Sequence, residues 1–303
     1  MIVCSNEVQT FGKQCFEESD IGVTARIWLT PPSFAFATAS AATTEATVLQ
    51  AIADKNIIPL PNILEVELKA IADNVYATPG GYEIKLKDGA RGSAYRMNID
   101  KYRHGILKTY EKKNWSFFKV ESLNGSVLGY TPDGTKVKGM DIQEFRVGSW
   151  QDVDNGKPAW TEIVIIEKDN RQFDTAPVIL SDLSFDALDL DGINTVTLTQ
   201  VGSVAANAFT VLVTLEDPTR KNGASSGADY TYLVEGLTTE TASFQLVTTS
   251  TGAITNPTTV VVDSVITNKY VVTFAAADAT DTVKVIPQAD RDLLHESAYL
   301  TLA

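Results

Sequence analysis

The sequence predicts a mainly β protein of two domains: an α+β N-terminal domain, with antiparallel strands in a sandwich or barrel and one or two helices, then an immunoglobulin-like β-sandwich. Three observations lead to this prediction. The 303 residues suffice for about two domains. Short apolar runs separated by Gly, Asn, Asp and Pro recur along the chain, as in antiparallel strands. The charge also changes: residues 1–174 hold 23 acids and 20 bases, a net of −3, whereas residues 175–303 hold 15 acids and 5 bases, a net of −10.

We place the domain boundary at this change of composition, so that the domains are residues 1–174 and 175–303. The segment N-R-Q-F-D-T-A-P at 170–177 is the predicted seam. The second domain has neither Cys nor Trp. It therefore lacks the Cys…Trp…Cys pattern of antibody domains and is assigned to the broader sandwich class.

The first domain opens with a predicted strand at residues 22–30, which a pair of prolines ends. A helix is predicted over 43–54, because Thr43 or Thr44 can cap it and apolar residues recur on one face. Residues 57–67 mix prolines with β-branched residues and are predicted to be extended.

A strand is predicted at residues 82–87, ending in a hairpin-type turn at Asp88-Gly89. Ser93 is expected in the loop after this turn. It lacks the G-x-S-x-G setting of a hydrolase nucleophile.

A second helix is predicted over residues 98–112, with Asn98 or Asp100 as its cap. His104 on this helix could contact an anion, but a partly exposed helix histidine is the favoured interpretation. The exposed positions of the helix are basic, and they comprise Lys101, Arg103, Lys108 and Lys112.

A β-meander is predicted after this helix, because Asn-Gly, Asp-Gly and Pro turns separate β-rich runs. Its strands are 115–122, 127–131, 135–138, 141–150 and 160–167. The second domain continues with short strands, which are 178–185, 194–200, 209–215, 230–235, 242–248, 258–264, 270–275 and 282–286. The apolar tail from Ser297 is expected to complete a sheet, in this subunit or in a neighbour.

No constellation of residues supports an enzyme, a metal or a cofactor. Four aspartates, Asp182, Asp186, Asp189 and Asp191, suggest calcium, but their spacing does not fit the EF-hand loop and a solvated strand ending in a turn is preferred. The acid pair Asp152 and Asp154 lies in a polar, turn-like context, so a hydrolase ranks last among the alternatives. Nucleotide-binding glycine motifs are absent from the sequence.

The formal charge of −13 and the pI of about 4.6 exclude a basic protein that coats nucleic acid. Aromatic residues Trp115, Phe117 and Phe118 stand beside lysines, and we interpret them as a core-facing strand rather than a base-stacking strip. Cys4 and Cys15 are expected to be free thiols in a reducing compartment. No apolar run of about 18 residues predicts a membrane span, and synthesis in a cytoplasm is expected.

Three ordered segments carry a resemblance to a known family. They are I-I-P-L-P-N-I-L-E-V-E at 57–67, G-Y-E-I-K-L-K-D-G-A-R-G at 81–92, and W-S-F-F-K-V-E-S-L-N-G-S-V-L-G-Y-T-P-D-G-T-K-V-K-G-M-D-I at 115–142. Together they resemble virion structural proteins of phages and prophages of the Bacteroidetes group. The resemblance covers residues 55–168 and leaves the preceding residues unaligned.

The resemblance implies a tail tube subunit, which resembles a small β-sandwich flanked by a helix and stacks as hexameric rings into a DNA conduit. Some tube proteins also carry an immunoglobulin-like domain on the outside of the tail. On this interpretation the protein is a homo-oligomer in the virion, assembled in the host cytoplasm with other tail or head-tail proteins, and DNA passes without specific binding. The expected inter-subunit contacts are Lys101, Arg103, Lys108, Lys112, Pro59 and Pro61, with residues 57–81 as an arm to an adjacent subunit.

Alternatives to the tail tube remain open at this stage. The chain could instead be a capsid decoration protein or a head-tail connector. A protein of another class, an adhesion or carbohydrate-binding module acting through the C-terminal sandwich, is the third possibility.

Overall fold

The structure is a computed structural model that describes residues 2–3, 23–69, 71, 74–77, 83–87, 89–122, 125–153, 156, 158–168, 172, 176–216, 231–233, 243–262, 269–290 and 294–303. The chain divides into two compact units. Unit 1 comprises Met1–Val48 and Asn56–Leu190, and unit 2 comprises Leu49–Lys55 and Asp191–Ala303. The predicted mainly β fold with few helices is confirmed, because antiparallel sheets make up most of the regular structure. Cys4 and Cys15 lie outside the described residues.

The strands of unit 1 are β1 (Ile2–Val3), β2 (Thr24–Thr30), β3 (Ile58–Pro59), β4 (Ile63–Leu68), β5 (Asn74–Ala77), β6 (Glu83–Lys87), β7 (Gly92–Met97), β8 (Ser116–Glu121), β9 (Val127–Tyr130), β10 (Met140–Val147), β11 (Thr161–Glu167) and β12 (Pro177–Leu180). The helices of the chain are α1 (Ala39–Ala42), α2 (Glu45–Ala53) and α3 (Lys101–Tyr110).

Ten strands of unit 1 form one sheet. Its main order is β1-β12-β9-β8-β10-β11-β7-β4, and β2 pairs with both β8 and β3. The apolar core lies on one side of this sheet, where side chains from β2, β7, β8, β10 and β11 meet Leu107 of helix α3. Burying each large apolar side chain contributes about 1.5–3 kcal/mol, so this cluster is the main stabilising element of unit 1.

Strand β2 is buried on both faces. Ile27 and Leu29 point into the core, while Trp28 points to the opposite side. There its ring contacts Phe118 at 6.5 Å and stacks on Phe185 at 6.4 Å between centroids. A strand covered on both faces needs a continuous apolar run, which explains why this strand carries I-W-L without polar alternation.

Unit 2 is a sandwich of two antiparallel sheets, with one parallel pair. Its strands are β13 (Asn194–Ala205), β14 (Ala208–Glu216), β15 (Thr231–Leu233), β16 (Phe244–Val247), β17 (Ile254–Thr255), β18 (Thr259–Val262), β19 (Lys269–Thr273), β20 (Thr282–Val285), β21 (His295–Ser297) and β22 (Leu300–Thr301). One sheet has the order β18-β19-β14-β13-β21, with β15 beside β14, and the other has the order β17-β16-β20-β22.

The two sheets of unit 2 contribute to one apolar cluster, which includes Val211 and Tyr270 from the first sheet and Phe244 and Val283 from the second. Strands β16, β19 and β20 alternate between buried and half-buried positions, as expected for strands with one face in the core. The C-terminal tail completes both sheets within its own chain, because β21 pairs in parallel with β13 and β22 pairs with β20.

The structure divides the chain after Leu190 rather than at Asp174. Strand β12 pairs with β9 and β1, so the residues just beyond 174 belong to unit 1 and not to the sandwich. Ala187 and Leu190 are also buried. The change in charge marks where surface composition changes, whereas the unit boundary is set by long-range strand pairing that composition does not report.

Strand β7 corrects the expected loop around Ser93. Ser93 is buried, and its strand pairs with β4 on one side and with β11 on the other. The run G-S-A has low β propensity, so only its position between two strands makes it extended. The turn predicted at Asp88-Gly89 includes Asp88, which lies outside the described residues; β6, the strand before it, pairs with β5.

Helix α2 is capped from a distant segment. The Ser184 hydroxyl accepts a hydrogen bond from the Glu45 amide at 3.1 Å, whereas the Thr43 and Thr44 hydroxyls donate to the Ser40 carbonyl. The predicted local cap is therefore wrong. Asp100, one of the two caps predicted for the second helix, is confirmed. Its carboxylate accepts a hydrogen bond from the Arg103 amide at 2.8 Å.

Two predicted strands are shorter than expected. Residues 135–138 contribute only isolated bridges, Val137 with Phe36 and Lys138 with Tyr130. The aspartate-rich segment after β12 forms turns rather than a strand, and the Asp186 carboxylate accepts from the Leu188 amide at 2.8 Å. This hydrogen bond occupies the side chain locally, as aspartates in turns do.

Candidate assembly surface

Two antiparallel strand pairs of unit 1 form a long β-hairpin between Ile63 and Met97. Its base is the β4–β7 pair and its outer half is the β5–β6 pair. Between them the ladder continues, because the Lys69 amide donates to the Gly92 carbonyl at 2.8 Å and Ile71 pairs with Ala90. The two pairs are therefore one antiparallel ribbon, which we call the long hairpin.

The base of the long hairpin ends the main sheet of unit 1. Strand β7 is held between β4 and β11, whereas β4 pairs with β7 alone among the described residues. We call the other side of β4 the free edge. An unpaired edge presents backbone N–H and C=O groups that can pair with a strand of another chain.

Apolar side chains at the free edge are poorly covered. Ile63 and Val66 pack partly against the core, but Leu68 is 79% exposed and Leu64 is 57% exposed. Ile71, beyond the end of β4, is 50% exposed. Leu64 lies at a shift in the β4–β7 register, where a bulge bends the strand. The free edge thus combines unpaired backbone groups with exposed apolar side chains.

The side of the hairpin base that faces away from the core carries paired charges. Arg96 forms ion pairs with Glu65 at 2.6 Å and Glu162 at 3.4 Å, and its guanidinium lies 5.0 Å from the centre of the Trp160 ring. The hydrogen bond that Arg96 donates to Glu65 raises the pKa of Arg96, and the hydrogen bond that Lys69 donates to Glu67 lowers the pKa of Glu67. The ion pairs of Arg96 join neighbouring strands and so help to fix their register. They add little to the free energy of unfolding, because exposed ion pairs are weak.

Helix α3 presents most of the predicted basic contacts to solvent. Lys101 and Lys112 are exposed. Arg103 is 66% exposed and pairs with Asp100 at 3.6 Å. Lys108 is bound to the end of β10, because its ammonium contacts Glu111 at 3.2 Å and the Val147 carbonyl.

Glu111 and His104 anchor α3 to the sheet. The Val147 amide donates to the Glu111 carboxylate at 2.6 Å, and this bond lowers the pKa of Glu111. His104 Nδ1 lies 3.0 Å from the Thr161 hydroxyl, and burial followed by nearby Lys108 lowers the pKa of His104. A histidine held neutral in this way fits the partly exposed helix residue that the sequence favoured, rather than an anion contact.

The two predicted proline contacts have other surroundings. Pro59 is buried in β3, where it pairs with Trp28 of β2, and Pro61 is half-buried beyond it. The first part of the predicted arm therefore belongs to the body of unit 1. The exposed part begins at β4, so the residues at the surface are Leu64 and Leu68, which the sequence analysis did not single out. Their alternation with the acidic residues of L-E-V-E-L is the signal that marks a strand with a free side.

The structure describes several of the candidate chemical groups. Asp152 is exposed and accepts from the Val153 amide at 2.8 Å, while Asp154 lies outside the described residues. Within the described part of the chain, no three His, Cys, Asp or Glu side chains are grouped as metal ligands. Trp115, Phe117 and Phe118 are buried, which confirms their assignment to the core.

Comparisons with protein family models, with curated proteins and with solved structures find no match. None of the helices among the described residues has the length and apolar character needed to cross a membrane.

Proposed function

We propose that this chain is a virion structural protein, the subunit of a phage tail tube that stacks as hexameric rings into a DNA conduit. The observation that carries the proposal is the free edge of β4 with its exposed leucines. A second copy of the chain is the occupant that fits it, because a strand of a neighbouring subunit would satisfy the unpaired backbone groups and cover Leu64 and Leu68 together.

The mode of contact follows from symmetry. If the free edges of two copies paired with each other, the contact would be self-complementary and would close as a dimer. A ring requires the free edge to pair with a different part of the neighbour. The continuous ribbon from Ile63 to Met97 supports such a contact, because its outer half extends the ladder beyond the sheet.

Charge supports contacts between rings and passage of DNA. Lys101 and Arg103 of α3 and Lys112, just beyond its end, are exposed and can pair with acids of a neighbouring ring. Residues 1–174, which hold most of the unit that would line the conduit, carry a net charge of −3, and the other −10 belongs to residues 175–303. A conduit with excess negative charge repels phosphates, so DNA slides without specific binding. Unit 2 would face outward on the tail as an acidic sandwich, and the subunits would assemble in the host cytoplasm with other tail or head-tail proteins.

Negative-stain microscopy of the purified protein tests this function. We expect hollow tubes or rings from the wild type, and their loss in Leu68→Glu, because a carboxylate at the free edge cannot be buried by a neighbour. The matched control is Ile254→Glu, which changes a 61% exposed residue of unit 2 and should leave tubes intact. A wild-type protein that stays monomeric at high concentration would exclude the tube and favour a decoration or adhesion protein.

A further inference from the structure

Two buried carboxyl groups and one half-buried ammonium group of unit 1 lie near each other and near Tyr95 of β7. Glu121 of β8 is 5% exposed and Glu167 of β11 is 4% exposed. Lys119, two residues before Glu121 on the same face of β8, contacts Glu167 at 3.0 Å. Its ammonium also lies 5.5 Å from the centre of the Phe117 ring. Lys119 and Glu167 therefore join β8 to β11 through the interior.

The cluster holds two carboxyl groups and one ammonium group. Lys119 contacts one oxygen of Glu167, and the other oxygen has no hydrogen-bond partner within the described structure. The Oε2 atom of Glu121 is also buried and has no partner there. If every group were ionised, the cluster would carry an uncompensated negative charge away from water, which costs several kcal/mol.

Other groups around the cluster do not supply the missing charge. Tyr95 of β7 approaches it and is bound to Ser93, but burial raises the pKa of Tyr95, so its hydroxyl stays neutral. The charged groups with which Tyr95 interacts are Lys119, Glu167 and Glu121. The least costly way to balance the cluster is to keep one proton on the carboxyl group that has no cation in contact.

We propose that Glu121 keeps a proton in the folded protein near neutral pH, and that the loss of this proton destabilises unit 1. The proposal concerns the interior of unit 1 and does not depend on assembly. It makes the body that supports the long hairpin weaker on the alkaline side of neutrality.

The direction of the pH dependence follows from the same environment. Burial raises the pKa of Glu121 from 4.5 to about 7, although Lys119 acts in the opposite direction. Folding therefore favours the protonated form. The stabilisation is complete below about 4.5, declines as the pH rises, and is lost above about 7. From pH 5 to pH 8 the folding equilibrium constant should fall roughly 70-fold through this group alone.

Tryptophan fluorescence measures unit 1 within the full chain. All four tryptophans, Trp28, Trp115, Trp150 and Trp160, belong to unit 1. We would follow urea unfolding of the wild type and of Glu121→Gln between pH 5 and pH 8. From pH 5 to pH 8 the folding equilibrium constant of the wild type should fall by a factor roughly 70 times larger than that of the variant. Glu144→Gln, an exposed carboxylate on β10, is the matched control and should follow the wild type.

Parallel pH profiles of the wild type and Glu121→Gln would overturn the proposal. If the variant fails to fold, the titration of glutamate carboxyl ¹³C resonances in the wild type decides the matter directly. One glutamate with a midpoint near pH 7 would support the proposal, and titration of every glutamate below about pH 5.5 would refute it.

Discussion

Unit 1 and unit 2 both bury an apolar cluster against β-sheets. They differ in their edge strands and in the hydrogen bonds of their buried carboxyl groups. In unit 2 the C-terminal strands complete both sheets within the chain. In unit 1 the sheet ends at the free edge of β4, and two exposed leucines remain there. Edge strands with exposed apolar side chains also occur in unit 2, where Ile254 of β17 is 61% exposed and Val261 of β18 is 57% exposed. Among the described residues, the edge of unit 1 differs in that it continues into the long hairpin.

The buried carboxylates show the same contrast. Asp281 of unit 2 is 3% exposed, and its two oxygens accept from the backbone amides of Thr249 at 2.9 Å and Asp278 at 3.0 Å. Glu121 of unit 1 is as deeply buried, yet its Oε2 has no partner among the described residues. Burial without hydrogen-bond donors favours the protonated form of a carboxyl group. Glu121 and Asp281 are equally buried, but among the described residues only Asp281 has donors at both oxygens.

The largest predicted effect on stability comes from removing the ammonium group of Lys119, which contacts Glu167 in unit 1. Lys119→Met leaves Glu167 buried without its partner, and we expect a loss of about 3–5 kcal/mol in the free energy of unfolding at pH 8. The loss should shrink at pH 5, because Glu121 is then protonated and Lys119 no longer offsets a charge on it. Urea unfolding followed by tryptophan fluorescence measures it. An equal loss at both pH values would contradict the account of the cluster.

A core truncation in unit 2 comes next. Leu246→Ala removes a fully buried side chain from β16 and should cost about 2–5 kcal/mol. Amide hydrogen exchange of β16 and its partner β20 measures the loss, because unit 2 has no tryptophan. Unchanged exchange in these strands would show that the cluster around Leu246 does not stabilise unit 2.

The third largest effect on stability is expected at Asp281, the carboxylate of unit 2 that accepts two backbone hydrogen bonds. Asp281→Asn places an amide where both backbone donors need an acceptor, so one hydrogen bond is lost and about 1–3 kcal/mol with it. Hydrogen exchange of the 278–285 segment measures this cost. Exchange as slow as in the wild type would show that these backbone hydrogen bonds do not stabilise unit 2.

The smallest effect is expected when a leucine of the free edge is truncated to alanine, as Leu246 is in unit 2. Leu68→Ala should change the stability of unit 1 by no more than about 0.5 kcal/mol, because its side chain is already 79% exposed. Tryptophan-monitored unfolding of the unassembled subunit checks this. A cost comparable to that of Leu246→Ala would mean that Leu68 is covered within its own chain.

Local patterns were sufficient to predict much of the fold. The apolar runs at β2, β8 and β11 and the cap of α3 were read from neighbouring residues, and the structure confirms them. Features that depend on distant residues were missed. Ser184 caps a helix that begins at Glu45, and β7 is a strand only because two other strands flank it.

The candidate surface was predicted only in part. The sequence indicated an extended arm, but it could not show that Pro59 is buried while Leu68 is exposed, because that difference depends on which strand reaches the edge of the sheet. The buried cluster of Lys119, Glu121 and Glu167 was also not found, since β8 and β11 meet through the fold and not through the sequence.

Hydrogen exchange of assembled protein against unassembled subunits tests the central claim most directly. If the free edge is the contact between copies, the amides of residues 63–71 should become protected on assembly, while those of the exposed 254–262 segment of unit 2 stay unchanged. Assembled particles whose 63–71 amides exchange as fast as those of the free subunit would contradict the account.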